Sequence, residues 1–327
     1  MTEPPAPSRN PKRGMGPPPN PKRREALPGQ KPKPAEEDPL APAAMRAIMA
    51  SPTYREADKD LDFLAGPDTR GLRLLLDYVK PEHFFRKHNV AHTIVVFGGT
   101  RIVEEKAAQR VVTECAAASA ASPQNEELRD KLARAERVLA KSRYYDVARE
   151  FGRIVGANSK KTREGNLVVM TGGGPGIMEA ANRGAHDAGA ESIGLNITLP
   201  NEQYPNPYVT PELCFSFHYF AMRKFHFLQR ARALVAFPGG YGTIDELFEV
   251  LALIQTRKMN PVPVILVGES YWQKVFDPEF LLAEGVIAPE DLELFWYADS
   301  AQEIWNDILR WHEMNGDPLL EPLRDTK

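Results

Sequence analysis

From about residue 93 onward, short uninterrupted apolar runs alternate with stretches whose apolar residues recur every three to four positions. The runs at 93–97, 167–170, 192–195, 233–237 and 262–267 have the length and β-branched content of buried strands. Between them the helical spacing predicts helices over 103–120, over a long charged segment at 126–155, from Ile177, over 219–232, from Thr243, after Ser270 and over 301–314. In the segment at 126–155, Leu128, Leu132, Ala135 and Leu139 share one face; behind Thr243, Ile244, Leu247, Phe248, Leu251 and Ile254 do the same. Fully apolar strands alternating with helices predict a doubly wound, Rossmann-like α/β fold: a parallel sheet with helices on both faces.

The first ninety residues follow other patterns. Residues 1–39 are rich in Pro, Lys and Arg and nearly lack large apolar side chains, so they are expected to be a disordered tail. Residues 40–90 predict a helical extension, with short pieces at 45–49 and 54–64. A clearer amphipathic piece carries Leu72, Leu75, Leu76, Val79 and, past Pro81, Phe84 and Phe85. No chemistry is apparent in this layer, and its expected use is contact within a homo-oligomer, a dimer or higher. The α/β domain is expected to fill residues 91–327.

Composition narrows the class of protein. A hydrophobic content of 43% and a charged content of 26% are ordinary for a globular chain, and a net charge of −3 gives no footing for nucleic acid or an anionic membrane. Two distant cysteines, Cys115 and Cys214, give neither a disulfide framework nor metal-ligand spacing. No apolar run is long enough to span a bilayer and no apolar signal core opens the chain, so the expected location is the cytoplasm. No cofactor and no metal are expected.

The candidate chemistry lies in three glycine turns, each directly behind a predicted strand: Gly98-Gly99, Gly172-Gly173-Gly174, and Gly239-Gly240-Tyr241-Gly242. In an open α/β sheet such turns fall at the carboxyl ends of the strands, where ligands bind. The third runs into a helix, with Thr243 at the expected cap, so unpaired N–H groups would face an anion such as phosphate. Glu246 then lies one turn into that helix. An acidic first turn opposing the helix dipole is the competing explanation for it, and explains Asp245 and Glu249 well. Neither the dinucleotide spacing nor a P-loop is present, because Ile177 and Asp245 stand where the third glycine would be. A mononucleotide or sugar phosphate therefore fits better than NAD or ATP.

At these residues the chain resembles a known family. The run from Pro238 to Glu246 matches the PGGxGTxxE signature of the LOG family, cytokinin riboside 5′-monophosphate phosphoribohydrolases, long labelled "possible lysine decarboxylase". The triple glycine and Met222-Arg223-Lys224 match two further family segments, and the extra helical regions resemble its longer bacterial members. The resemblance implies hydrolysis of a nucleoside 5′-monophosphate, AMP or a cytokinin riboside monophosphate, to free base and ribose 5-phosphate. It assigns Arg223 and Glu246 as catalytic. Gly98, Gly173, Gly174, Glu202, Met222, Lys224, Gly239, Gly240, Tyr241, Gly242 and Thr243 become substrate contacts. Cleavage of a C1′–N bond builds positive charge on the ribose, which a carboxylate stabilises and a fixed guanidinium complements. Read without the family, Arg223 and Lys224 are ordinary helix-surface charges, and Phe220, Phe225 and Phe227 are core; Tyr241 is the aromatic expected to reach a ligand. The alternative function is a carrier that binds a nucleotide or molybdenum cofactor without turning it over. The decarboxylase of the old label lacks a lysine suited to a Schiff base. Which base is released stays open.

Overall fold

The computed structural model describes residues 31–198 and 204–321. Glu202 and most of the expected tail thus lie outside the described residues. The chain divides into two compact units, one ending at Arg70 and the other starting at Gly71. In the first, α1 spans Ala41–Met49 and α2 spans Leu61–Ala65, with single 3-10 turns at Pro52–Tyr54, Ala57–Lys59 and Pro67–Thr69. The one helical piece expected over 54–64 is thus broken up. Local side-chain bonds account for this: the Asp60 carboxylate accepts from Phe63 N at 3.2 Å and starts α2 afresh, and the Thr69 hydroxyl bonds to carbonyls of the turn behind it.

The second unit opens with α3, which spans Arg70–Lys87 and contains Pro81. There follow β1 (Val90–Phe97), α4 (Glu105–Ala121), α5 (Glu126–Leu139), α6 (Arg143–Ala157), β2 (Asn166–Thr171) and α7 (Ile177–Asp187). Next come β3 (Ser192–Ile197), β4 (Cys214–Phe217), α8 (Phe220–Gln229), β5 (Ala231–Ala236) and α9 (Tyr241–Gln255). The unit closes with β6 (Val264–Val267), α10 (Glu269–Val275), α11 (Pro278–Ala283), β7 (Trp296–Ala298) and α12 (Ala301–Met314). The strands form one sheet in the order β4-β3-β2-β1-β5-β6-β7, and every pairing is parallel. The doubly wound α/β expectation is therefore met. Among the described residues no helix is long and apolar enough to cross a membrane.

Alternation along β1 shows why both faces of the sheet are apolar. Ile94 and Val96 enter a core with α6, α7 and α12, through Phe151, Ile177 and Ile304. Val95 and Phe97 enter the opposite core with Phe85, Phe227, Leu247 and Trp272. Successive strand residues point to opposite faces, so a strand covered on both sides reads as one unbroken apolar run.

Three expectations are corrected. The helix expected over 126–155 is two, because the last turn of α5 tightens (Lys141 N to Val138 O, Ser142 N to Leu139 O) before α6 begins. The helix expected over 219–232 stops at Gln229, because Ala231 is already in the ladder beside Thr93, whose N–H bonds to Arg230 O at 2.9 Å. α9 begins two residues early, at Tyr241, with Gly240 as its N-cap, so Thr243 sits inside the first turn rather than at the cap. β7, three residues long, carries too short an apolar signature to be read.

α6 and α7 approach each other closely enough that a Cβ on Gly184 would stand 1.8 Å from Arg149 O, and one on Gly152 would stand 2.1 Å from Ala181 O. That contact sets α7, and with it the glycine turn that precedes α7. Gly184→Ala must push the two helices apart, and overpacking of this kind costs about 1–3 kcal/mol. The expected outcome is a lower urea midpoint at unchanged m-value.

Candidate active site

The chain winds outward from β1 through β2, β3 and β4 on one side and through β5, β6 and β7 on the other. The crevice beyond the carboxyl ends of β1 and β5 is thus the switch point of the sheet, where open α/β sheets place ligands. Gly98-Gly99 follows β1, Gly172–Gly174 follows β2, and Gly239-Gly240 follows β5. The turns are tied together by backbone: Gly99 N donates to Pro238 O at 2.9 Å, and Ile177 N donates to Gly99 O at 3.3 Å. Close approach explains the residue type at two of these positions. A Cβ on Gly98 would lie 2.5 Å from Ile177 Cγ2, and one on Gly239 would lie 2.2 Å from Thr243 Oγ1.

The triple-glycine turn is held from behind by a buried polar network. Thr171 Oγ1 donates to Asn182 Oδ1 at 2.7 Å and accepts from Gly173 N at 2.9 Å. Asn206 Nδ2 donates to Gly174 O and to Asn182 Oδ1, both at 3.0 Å, and Asn206 N donates to Gly173 O at 2.8 Å. Satisfied networks of this kind rigidify the backbone they bind. Asn206 lies in the proline-rich loop before β4, where the sequence gives no periodic signal, so its part in the site was not readable.

These turns border a cavity of about 240 Å³. Of the residues expected to contact substrate, Gly98, Gly240, Gly242 and Thr243 line it, together with Arg223 and Glu246. Gly99, Thr100, Gly172, Met178, Phe97 and Phe227 also line it and were not among the expected contacts. Phe97 and Phe227 read as core, and both belong to the apolar cluster on this face of the sheet as well, with rings 4.9 Å apart. Gly173, Gly174 and Gly239 shape the turns without lining the cavity, and Met222 packs against the apolar core. Tyr241, expected to reach a ligand, is 92% exposed and does not line the cavity.

Arg223 and Lys224 lie on α8, whose start is held by α3. The Asp77 carboxylate accepts from His218 N and Tyr219 N, each at 3.0 Å, and so caps α8 from another helix. At the far end Arg230 makes a bidentate pair with the buried Glu82 of α3, at 2.6 and 2.8 Å. Between these ties the Arg223 guanidinium lies over the Phe220 ring at 4.6 Å and the Phe227 ring at 5.6 Å. Its Nη2 is 3.3 Å from Glu246 Oε1, while its buried Nε has no hydrogen-bond partner among the described residues.

Glu246 is the most unusual group of the site. It is 4% exposed, one turn inside α9. Burial raises its pKa to about 7, against the opposing pull of Lys224 and Arg223. Burial likewise lowers the pKa of Arg223, which the charge of Glu246 partly restores. The arrangement is a desolvated carboxylate paired with a desolvated guanidinium, facing a cavity rimmed by glycine turns and the N-terminus of α9. Such a cavity can take an anion at the helix end and present a carboxylate to whatever lies deeper.

Fold and site together define a doubly wound α/β protein with a ligand crevice at its switch point. Residues 178–308 match a family model described as "Possible lysine decarboxylase", a segment that includes Arg223, Glu246 and the third glycine turn. The chain is 29% identical over 167 residues to the rice (Oryza sativa subsp. japonica) cytokinin riboside 5′-monophosphate phosphoribohydrolase LOG, over 50% of this chain and 65% of that protein. It is also 29% identical to the Arabidopsis thaliana phosphoribohydrolase LOG3, over 50% of this chain and 74% of the relative. The chain thus spans about two thirds of the length of the rice protein. These similarities are to proteins of the LOG family, the one whose signature the third glycine turn resembles. Among solved structures it is similar to the molybdenum cofactor binding protein from the phototrophic bacterium Rippkaea orientalis, at 18% identity and a TM-score of 0.39, over 67% of this chain and 96% of that one.

The raised pKa of Glu246 couples to stability. Folding favours its protonated form, so its contribution is intact below the unfolded carboxylate pKa of about 4.5 and is lost as pH rises through about 7. Glu246→Gln removes this dependence. Between pH 5 and pH 8 the stability difference should move in favour of the Gln variant by about 2–3 kcal/mol, read from urea unfolding at the two pH values.

Proposed function

We propose that the protein hydrolyses the N-glycosidic bond of a nucleoside 5′-monophosphate, such as AMP or a cytokinin riboside monophosphate, to free base and ribose 5-phosphate. The observation that carries this reading is the buried Glu246–Arg223 pair, 3.3 Å apart, facing the cavity that the glycine turns border. The activity of the LOG-family relatives supports it at the level of reaction class.

In this reading the phosphate meets the N-terminus of α9, where the first-turn N–H groups carry partial positive charge. The sugar then extends along the first turn toward Glu246. As the C1′–N bond breaks, its electron pair leaves with the base and positive charge grows on the ribose, where the Glu246 carboxylate stabilises it. Water adds to C1′, and Glu246 accepts the proton that water loses. Arg223 keeps that carboxylate in place and offers its unpartnered Nε to the substrate. The released base takes up one proton, so the products balance as free base and ribose 5-phosphate.

A carboxylate whose pKa is about 7 gives the reaction a distinct pH dependence. The ionised form is the active one, so kcat/KM should rise about tenfold per pH unit below about 7 and level off above it. Glu246→Gln should lower kcat and kcat/KM together by about 10²-fold or more and abolish this limb, while monophosphate binding persists. Free base released from AMP and from prenylated AMP is the quantity to measure. Tight binding of a monophosphate without base release from any nucleotide tested would leave the carrier reading in its place.

The same reading includes self-association. Leu72, Leu75, Leu76 and Val79 form an exposed apolar stripe along α3. A second copy of the chain covering this stripe would give a homodimer or a higher assembly. Light scattering at micromolar concentration is expected to give at least a dimer mass, and Leu75→Glu with Leu76→Glu to give a monomer.

A further inference from the structure

Lys224 was expected to contact substrate, yet it does not line the cavity. Its ammonium faces three carboxylates of α9 instead. Nζ lies 2.8 Å from Asp245 Oδ2, 2.8 Å from Glu249 Oε2 and 3.6 Å from Glu246 Oε2. Asp245 and Glu249 lie within hydrogen-bond distance of the ammonium, whereas Glu246 meets it only as an ion pair. Asp245 and Glu249 are the more exposed pair, at side-chain exposures of 58% and 32%, while Glu246 is 5% exposed on the same measure.

We propose that Lys224 is a positioning residue: it clamps α8 to α9 through Asp245 and Glu249 and acts on substrate only through the charge of Glu246. This rests on the hydrolase reading and extends it to how the carboxylate is kept usable. Four charged groups of the described chain face Glu246: Arg223 and Lys224 from α8, Asp245 and Glu249 from α9. With all five ionised the cluster carries three negative and two positive charges. Removing the Lys224 cation leaves three carboxylates against one guanidinium, and neutralising Glu246 by a proton becomes the easiest relief. Burial pulls the Lys224 pKa down, but its bonds to Asp245 and Glu249 raise it above the usual lysine value, so the cation persists throughout the working pH range. The two outer carboxylates therefore do for Lys224 what Lys224 does for Glu246. Each raises the charge of the group inside it.

Paired substitutions of opposite expected sign test this. Lys224→Met should move the limb of kcat/KM up by about 1 pH unit or more, and its kcat should recover toward wild type above the displaced limb. Lys224→Arg, which keeps the charge, should return the limb to its place. Asp245→Asn, at an exposed position, should move it down. If instead the limb of Lys224→Met stays put while KM rises equally at every pH, Lys224 touches substrate and the inference is overturned. Titration of the Glu246 side-chain carbon by 13C NMR in wild type, Lys224→Gln, Lys224→Arg and Asp245→Asn supplies a readout that needs neither turnover nor the Met variant. An unmoved Glu246 titration in Lys224→Gln would also overturn the inference. Absence of base release in wild type overturns the hydrolase reading alone, because the same titrations still decide the role of Lys224.

Discussion

Placing one carboxylate out of water at the edge of the sheet constrains much of the second unit. A buried Glu246 is tolerable only with cations held close, since desolvation of an ionised carboxylate costs several kcal/mol before pairing. Those cations, Arg223 and Lys224, come from α8, so α8 must run beside the first turns of α9 at a fixed height. The structure fixes that height at both ends of α8, by the Asp77 cap at its start and the Glu82–Arg230 pair at its finish. α3 is therefore part of the support of the site although it contributes no residue to the cavity lining. The partial compensation is itself informative. Arg223 and Lys224 pull the Glu246 pKa down without overcoming burial, which leaves the group near neutrality rather than locked as a permanent anion.

How much of this was legible depends on which physical signal each feature carries. Buried parallel strands announce themselves as apolar runs, and a strand followed by clustered glycines marks a sheet edge, so the frame and the three turns could be read directly. The helix break at 140–142 could not, because neither Gly nor Pro marks it; tertiary packing divides the segment, α5 lying against α4 and α6 against α7. The start of α9 was misplaced for a related reason. Thr243 looks like a cap by residue type, but it is buried at 7% exposure inside the first turn, with its side chain filling the space left by Gly239.

Within the site, the legible residues are those whose type is unusual in its setting: glycines behind strands, and an arginine beside a family signature. Asp77 and Asn206 were not legible. Each acts on backbone groups more than thirty residues away, and a single Asp on a helix or Asn in a loop is common. Lys224 illustrates a different loss. The family resemblance points to a substrate contact there, and only the positions of Asp245, Glu246 and Glu249 across the helix pair show which charges its ammonium faces. The acidic residues that seemed a plain answer to the helix dipole lie beyond the first turn of α9, with Asp245 and Glu249 paired to Lys224 and Glu246 turned inward.

The geometry of α9 also explains why a glycine turn and a glutamate need to be spaced as they are. From Gly242 to Glu246 is four residues, which an α-helix covers in about 6 Å along its axis and slightly more than one full turn. The N-terminal N–H groups and the Glu246 carboxylate therefore lie on nearly the same face, at two levels. An anion at the first level is attracted by the helix end, and positive charge developing at the second is attracted by the carboxylate. A sugar phosphate has that polarity only while its glycosidic bond is breaking, with a permanent negative charge at one end and a transient positive one about a sugar ring away. On the proposed hydrolase reading, the phosphate and an ionised Glu246 repel each other in the ground state, so such a substrate gains little from the second level until charge develops. An arrangement of this kind favours the transition state over the bound substrate, which is the condition for raising kcat rather than merely tightening binding.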